Sequence, residues 1–209
     1  MRLRTSASKK ILHAAEQERP DVAAARTAWK EEQPFLDPAK LVFIDETGTS
    51  TNMARLRGRA KRGQRVVGRV PWGHWKILTF VAGLRQDGIT APFVIDRPMT
   101  GAIFVEYLRQ CLVPTLSPGD IVVMDNLPAH KNPQVRQIIE AAGAELRYLP
   151  PYSPDLNPIE QAIAKLKAHL RKAQERSIDT LWPRIGKLLD LFKSHECANF
   201  FANSAYART

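Results

Sequence analysis

The chain has 209 residues, with 31 Lys and Arg against 21 Asp and Glu, a net charge of +10 and 44% hydrophobic residues. That length holds one domain with a real core plus an appendage, and no apolar run approaches the roughly 20 residues of a membrane span or follows the basic N-terminus as a signal core. The charge favours a polyanionic partner, and Cys111 and Cys197 are too far apart in sequence for a disulfide framework or a zinc site, which makes them buried thiols in a reducing cytoplasm.

Residues 1–40 read as a helical linker or arm. Segment 8–32 is rich in Ala, Glu, Lys and Arg and is interrupted by Pro20. It predicts two short helices with weak apolar faces, anchored by Trp29 and Phe35. Pro34 and Pro38 punctuate the entry to a second unit, residues 41–209. There the apolar run Leu41–Asp45 predicts a strand, followed by a basic, glycine-bearing excursion from Arg55 to Arg69. Segments 76–85 and 89–95 predict two strands joined at Asp87-Gly88, a strong hairpin signal. A helix is expected over 100–113, where Ile103, Phe104, Tyr107, Leu108, Cys111 and Leu112 recur at helical spacing. A strand over 121–125, a helix over 133–142 ended by Gly143, and a short strand Leu146–Leu149 follow. Helices are expected over 158–172, with Ile159, Ile163, Leu166 and Leu170 on one face, and over 180–192, with Pro183 acceptable only in the first turn.

Three antiparallel strands followed by alternating helices and strands give an α/β fold, a mixed sheet with helices on both faces. In this order the strands at 41 and 121 can lie side by side and parallel. Their carboxyl ends, where sites of such sheets form, would then bring Asp45 next to Asp125. A buried pair of aspartates is costly without a cation between them, and Mg²⁺ prefers carboxylate oxygens. Alone, Asp45 reads equally as a strand-end turn residue, and so does Asp96, which lacks a partner motif and precedes Arg97-Pro98. A third acid, Glu160, opens a helix. With Asn157 as N-cap it could merely complete a capping box. Against that, Leu149 to Pro158 is a stiff connector with four prolines, and Glu160 lies off the apolar face, so it can be aimed into a cleft. Three converging carboxylates on a basic chain point to a magnesium site acting on nucleic-acid phosphates.

Three blocks carry a family resemblance. Phe43-Ile44-Asp45-Glu46-Thr47-Gly48, Val123-Met124-Asp125-Asn126-Leu127-Pro128-Ala129-His130-Lys131 and Tyr148-Leu149-Pro150-Pro151-Tyr152-Ser153-Pro154-Asp155-Leu156-Asn157-Pro158-Ile159-Glu160 resemble the signature blocks of DDE transposases. The likeness is greatest to the bacterial insertion-sequence relatives of the mariner superfamily. The third block is highly specific, the second fairly so, and the first weak alone. The 34 residues between Asp125 and Glu160 fit the mariner-type pattern. The resemblance covers about 41 to 205, including Gly73-His74-Trp75-Lys76 and Cys197-Ala198-Asn199-Phe200-Phe201.

The resemblance implies a ribonuclease-H-like fold and Mg²⁺-dependent phosphodiester chemistry, with two ions and Mn²⁺ as a substitute. It makes Asp45, Asp125 and Glu160 the metal-binding catalytic triad, with Asn126 and His130 in supporting roles. It further implies double-stranded DNA as partner, at element ends and target, a homodimer on DNA, and a cytoplasmic, nucleoid-associated location in a bacterium. Ile163 replaces an aromatic of many relatives, which concerns packing alone. Full-length relatives begin with a helix-turn-helix module, for which this chain is too short. Such a module is expected as a separate polypeptide or an upstream frame.

In the basic excursion, Arg55, Arg57, Arg59, Lys61, Arg62, Arg65 and Arg69 can track a phosphate backbone, and Lys165 and Lys167 add charge on the outer faces of the helix after the triad. The competing reading for each group is a solvated charged surface. Trp72 and Trp75 could stack on a base, but the usual burial of tryptophan places them in the core. Two rival functions differ in class. Asp45-Glu46-Thr47-Gly48-Thr49 is similar to the nucleophile loop of haloacid-dehalogenase-type phosphatases, yet that chemistry needs a second aspartate where Thr47 stands. The other rival is a catalytically inactive DNA-binding remnant of a transposase.

Overall fold

A computed structural model describes residues 14–61 and 63–206. Five strands form one sheet in the order β3-β2-β1-β4-β5, with β1 (Leu41–Ser50), β2 (Ile77–Arg85), β3 (Gly88–Ile95), β4 (Ile121–Met124) and β5 (Glu145–Tyr148). The first three strands are an antiparallel meander, while β4 and β5 run parallel to β1. The expected mixed sheet is therefore present. The hairpin link is Gln86-Asp87 rather than Asp87-Gly88, because Gly88 already pairs with Arg85.

The strand at 41 is longer than its apolar run. Beyond Ile44, the buried Thr47 and Thr49 alternate with less buried Glu46, Gly48 and Ser50, and pairing to β2 continues to Ser50 opposite Ile77. Asp45 is thus inside β1 and does not end it. β-branched threonines suit a half-buried pleat as well as aliphatic residues do, so polarity alone marked the end too early.

Side chains of the central strands alternate between two cores. Leu41, Phe43 and Val123 pack on one face with α4 (Ile159–Ala173), α5 (Ile178–Leu189) and α6 (Ser194–Asn203). Val42, Ile44, Val122 and Met124 pack on the other with α2 (Gly101–Tyr107) and α3 (Pro133–Ala141). Alternation then turns Asp45, and Asp125 just past β4, toward the face that α4 covers.

Several expectations need correction. The single helix over 100–113 is α2 followed by a π turn, Leu108–Leu112, and a short 3₁₀ turn, Val113–Thr115, where Pro114 cannot continue the ladder. α5 begins at Ile178, capped by Ser177, so Pro183 lies beyond the first turn, on the exposed side of the helix. Of the expected anchors in the N-terminal arm, Trp29 is buried but Phe35 is 85% exposed, and Leu36 fills the core in its place. Pro20 starts rather than interrupts α1 (Pro20–Glu32), where its missing N–H costs nothing. The part of segment 8–32 before residue 14 lies outside the described residues. Asp96 is an exposed bend residue after β3, as expected. Among the described residues, no helix is long and apolar enough to cross a membrane.

Candidate active site

Leu41, Val42 and Phe43 pair with Ile121, Val122 and Val123, so the same register carried two residues on sets Asp45 beside Asp125. α4 starts over this end of the sheet and brings Glu160 in its first turn. Asp45, Asp125 and Glu160 line one cavity of about 560 Å³, together with Asn126, Lys131, Asn157 and the connector Leu149–Pro154. The three acids come from three elements distant in sequence, and the fold gathers them.

Asp45 is 8% exposed. Its Oδ1 accepts from the Glu46 backbone N–H at 2.7 Å and its Oδ2 from Asn157 Nδ2 at 3.3 Å. Burial, then the charge of Glu160 and that of Asp125, push its carboxyl up to about 8, against the opposing bond from Glu46 N–H. Asn157 does not cap α4. Its amide turns to Asp45, and its buried Oδ1 has no hydrogen-bond partner. The capping-box alternative for Glu160 therefore lacks its Asn half.

Asp125 sits past the end of β4, where its Oδ1 accepts from Leu127 N–H at 3.1 Å and lies 2.7 Å from His130 Nδ1. His130 is wholly buried, and its Nε2 lies 2.8 Å from Glu46 Oε2. Burial alone would lower the imidazole, but its bonds to Asp125 and Glu46 outweigh that and raise it to about 9. Asn126 donates through Nδ2 to the Leu149 carbonyl, tying the exit of β4 to the start of the connector. Glu46 gave no signal in the sequence beyond its place after Asp45.

The connector is held from outside as well as by its prolines. Arg26 of α1 donates to both carboxylate oxygens of Asp155, at 2.9 and 2.7 Å, and to Ser153 Oγ at 2.6 Å. Gln17 donates to the Tyr152 carbonyl at 2.6 Å. Polar side chains of the N-terminal arm thus steady the segment that leads into Glu160.

The carboxylates suit a hard divalent cation. Burial and the charges of Glu160 and Asp125 raise the Asp45 carboxyl, and Asn157, whose buried amide oxygen has no partner, lines the same cavity. Among the described residues, no three or more His, Cys, Asp or Glu side chains stand close enough together, as placed, to form a ready-made metal-ion cluster. Mg²⁺ does not ask for one, since it keeps several waters and takes one or two carboxylates plus phosphate oxygens.

Among the described residues, 51–61 and 63–76 lie off the sheet without forming a strand. Gln64 N–H donates to Lys61 O at 3.0 Å in a turn with Gly63 at φ +85°, and a Cβ on Gly58 would meet Val66 at 2.5 Å, so the segment doubles back on itself. Arg176 fixes its base by donating to Thr51 O and Met53 O. Arg55, Arg57, Arg59 and Arg69 line a groove of about 670 Å³ with Lys172 from α4, and Lys61 and Arg65 are exposed nearby. Arg62 lies outside the described residues. Lys165 does not extend from an outer face. It donates to Leu191 O at 2.8 Å, pairs with Glu196 and covers the Phe192 ring at 4.7 Å. Lys167 is half-buried. Trp72 and Trp75 are not core residues, being 103% and 53% exposed, because the excursion carries them away from both packed faces.

A family profile described as DDE superfamily endonuclease matches residues 40–182. No curated protein sequence matches the chain. Among solved structures, the Mos1 transposase paired-end complex with left transposon end is similar at a TM-score of 0.75 and 15% identity, over 97% of this chain and 64% of that one. A pre-cleavage Mos1 transpososome gives 0.70 and 15%, over 96% and 64%. The catalytic domain of Mos1 mariner transposase gives 0.64 and 15%, over 94% and 92%. The chain therefore spans about 64% of the length of the longer Mos1 chains, and shares the ribonuclease-H-like fold of their catalytic domain. With the acidic cavity at the carboxyl ends of β1 and β4, and a profile match over most of its length, the chain belongs to the DDE superfamily endonucleases.

Proposed function

We propose that this chain is the catalytic domain of a DNA transposase, carrying out divalent-metal-dependent strand cleavage and strand transfer, with residues 1–40 as an arm before the catalytic unit 41–209. The observation that carries this reading is the arrival of Asp45, Asp125 and Glu160, one from each signature block, at a single cavity. These three side chains would hold two Mg²⁺ ions, with Mn²⁺ able to replace them. When bound, the ions supply activation of an attacking oxygen and stabilisation of the leaving oxygen of a phosphodiester. The protein's own groups prepare for this. Asn157 and the Glu46 N–H orient Asp45, His130 and the Leu127 N–H orient Asp125, and the braced connector sets the start of α4 under Glu160.

The substrate class follows from charge and from the relatives. Solved Mos1 structures include a paired-end complex with a transposon end and a strand transfer complex. Double-stranded DNA, as element ends and target, is the corresponding partner here, with a homodimer on DNA and a helix-turn-helix polypeptide or upstream frame supplying sequence recognition. The basic excursion would meet phosphates.

The test is a nicking assay with Mg²⁺ on the purified chain and on Asp45→Asn, Asp125→Asn and Glu160→Gln, each checked for folding by circular dichroism. Each change removes charge at nearly constant volume, so each is expected to abolish cleavage in a folded protein, while Ca²⁺ supports DNA binding without chemistry. Near-normal cleavage by folded Glu160→Gln would return Glu160 to a helix-start role. A parent chain that binds DNA but neither binds metal nor cleaves would establish the inactive remnant instead.

A further inference from the structure

Glu46 follows Asp45 in β1, so the alternation that turns Asp45 toward α4 turns Glu46 toward the opposite face, where α2 packs. There its Oε2 lies 2.8 Å from His130 Nε2, and Nδ1 of the same ring lies 2.7 Å from Asp125 Oδ1. Each ring nitrogen thus has a carboxylate oxygen within hydrogen-bond distance, so the ring bridges Glu46 and Asp125. The imidazole is wholly buried, lies 4.4 Å from the Phe104 ring between centroids, and its backbone carbonyl accepts from Tyr148 OH at 2.7 Å.

Asp125 needs such support. It lies beyond the last residue of β4, its side chain is 37% exposed, and no ladder bond fixes its orientation. Among the described residues, both bonds to its carboxylate fall on Oδ1, one from the neighbouring Leu127 N–H and one from His130. Holding Oδ1 leaves Oδ2 as the oxygen to present to the cavity.

We infer that Glu46 is a positioning residue for Asp125: it fixes the His130 ring, and the ring fixes which oxygen Asp125 turns to the site. This rests on the reading of Asp125 as a metal-holding carboxylate. Partners one step behind a ligand set its orientation, and their loss typically costs about 10–100-fold in metal affinity or activity. A histidine merely neutralised in the core would show no such effect at the cavity.

The experiment uses the full chain and Mn²⁺ alone as the probe. Titration calorimetry gives Mn²⁺ affinity, ¹H–¹⁵N spectra report the His130 ring, and nicking gives kcat and KM. Glu46→Ala is expected to weaken Mn²⁺ about 10–100-fold, to lower kcat without raising KM for DNA, and to lose the hydrogen-bonded Nε2–H signal. Glu46→Gln retains an acceptor and should recover Mn²⁺ affinity to within about threefold of the parent, given the scale of outer-partner effects. Unchanged Mn²⁺ affinity in folded Glu46→Ala would overturn the inference. So would weakened affinity with an unchanged His130 spectrum, which would make Glu46 a ligand itself. Should Glu46→Ala not fold, the parent spectrum decides, because a His130 ring whose nitrogens show no hydrogen bonding also overturns it. Asp125→Asn run in parallel separates the two levels: Mn²⁺ binding insensitive to that change sinks the functional reading, whereas loss there with none in Glu46→Ala sinks only the role of Glu46.

Discussion

Replacing Trp29 with Ala asks whether the segment ahead of β1 is part of the folded core. Trp29 is 9% exposed and packs in the cluster that contains Leu36, Leu41, Phe43 and Phe201. Its Nε1 donates to Tyr206 OH at 2.9 Å, and that hydroxyl donates to the Leu156 carbonyl at 2.8 Å. One indole therefore links α1, through Tyr206 three residues beyond α6, to the connector before Glu160. A tryptophan buries about 200 Å², which at about 25 cal/mol per Å² amounts to about 5 kcal/mol, an upper figure because the unfolded chain is not fully extended. Core Trp→Ala changes cost about 3–5 kcal/mol, and the lost hydrogen bond accounts for about 1 kcal/mol of stability. The expected loss for Trp29→Ala is therefore about 4 kcal/mol. Trp29→Phe keeps most of the burial and loses the donor, for about 1–2 kcal/mol. Urea unfolding, read as a shift of midpoint at constant slope, measures both. A loss below about 1 kcal/mol for Trp29→Ala, the ordinary size of an unremarkable substitution, would show that the arm rests on the core without contributing to it.

Replacing Arg55, Arg57, Arg59 and Lys61 with Ser should weaken DNA binding alike for all sequences and flatten the slope of log affinity against log salt by about 0.9 per lost phosphate contact; an unchanged slope would leave the excursion a solvated loop. The isolated chain should prefer an element end over random DNA by less than about 10³-fold, because backbone contacts position without specifying; footprinting with competitor DNA would reveal a larger ratio. Asp120 accepts from Arg85 at 3.3 and 2.6 Å and from Ser117 N–H at 2.8 Å, and although burial opposes it these bonds hold its carboxyl below the ordinary value. The folded-state value is the lower one, so this stability is present above the unfolded value of about 4 and is lost as pH falls through the folded one. Asp120→Asn should accordingly be destabilising at pH 7, and the gap to the parent should close in acid, as urea midpoints across that range would report.

The sequence was most informative where short-range patterns set the geometry. Leu41–Ile44 and Ile121–Met124 are apolar runs ending in acids, and parallel pairing of two such runs leaves the acids little choice of place. The face of α4 was equally legible, since Ile159, Ile163, Leu166 and Leu170 are all buried at helical spacing. Contacts across the chain were not legible. Arg26 meets Asp155 across 129 positions and Glu46 meets His130 across 84, and neither pair has a local pattern. α6 escaped notice because only Cys197 and Phe201 of its ten residues are buried, too few for a periodic stripe. Trp72 and Trp75 misled for the opposite reason, as residue type predicts burial only when the backbone stays near a packed face.

What makes this site more than a polar end of a sheet is that its side chains work against local convenience. An Asn before a helix would ordinarily cap it, yet Asn157 gives its amide to Asp45 and keeps a buried, unpaired oxygen. An unsatisfied buried acceptor costs about 1–3 kcal/mol. A strand interior would ordinarily hold Val or Thr at position 45, yet an acid is buried there, and burial with its acidic neighbours raises its carboxyl. Neither cost is repaid by packing, since both residues face a cavity rather than a core cluster. A cation would answer the second, because it stabilises the Asp45 carboxylate against burial and against its acidic neighbours. The same argument explains why the protein braces the surroundings so heavily. Repelling carboxylates would drift apart on free loops, and here β1, the Glu46–His130 pair and the proline connector latched by Arg26 each deny one of them that freedom.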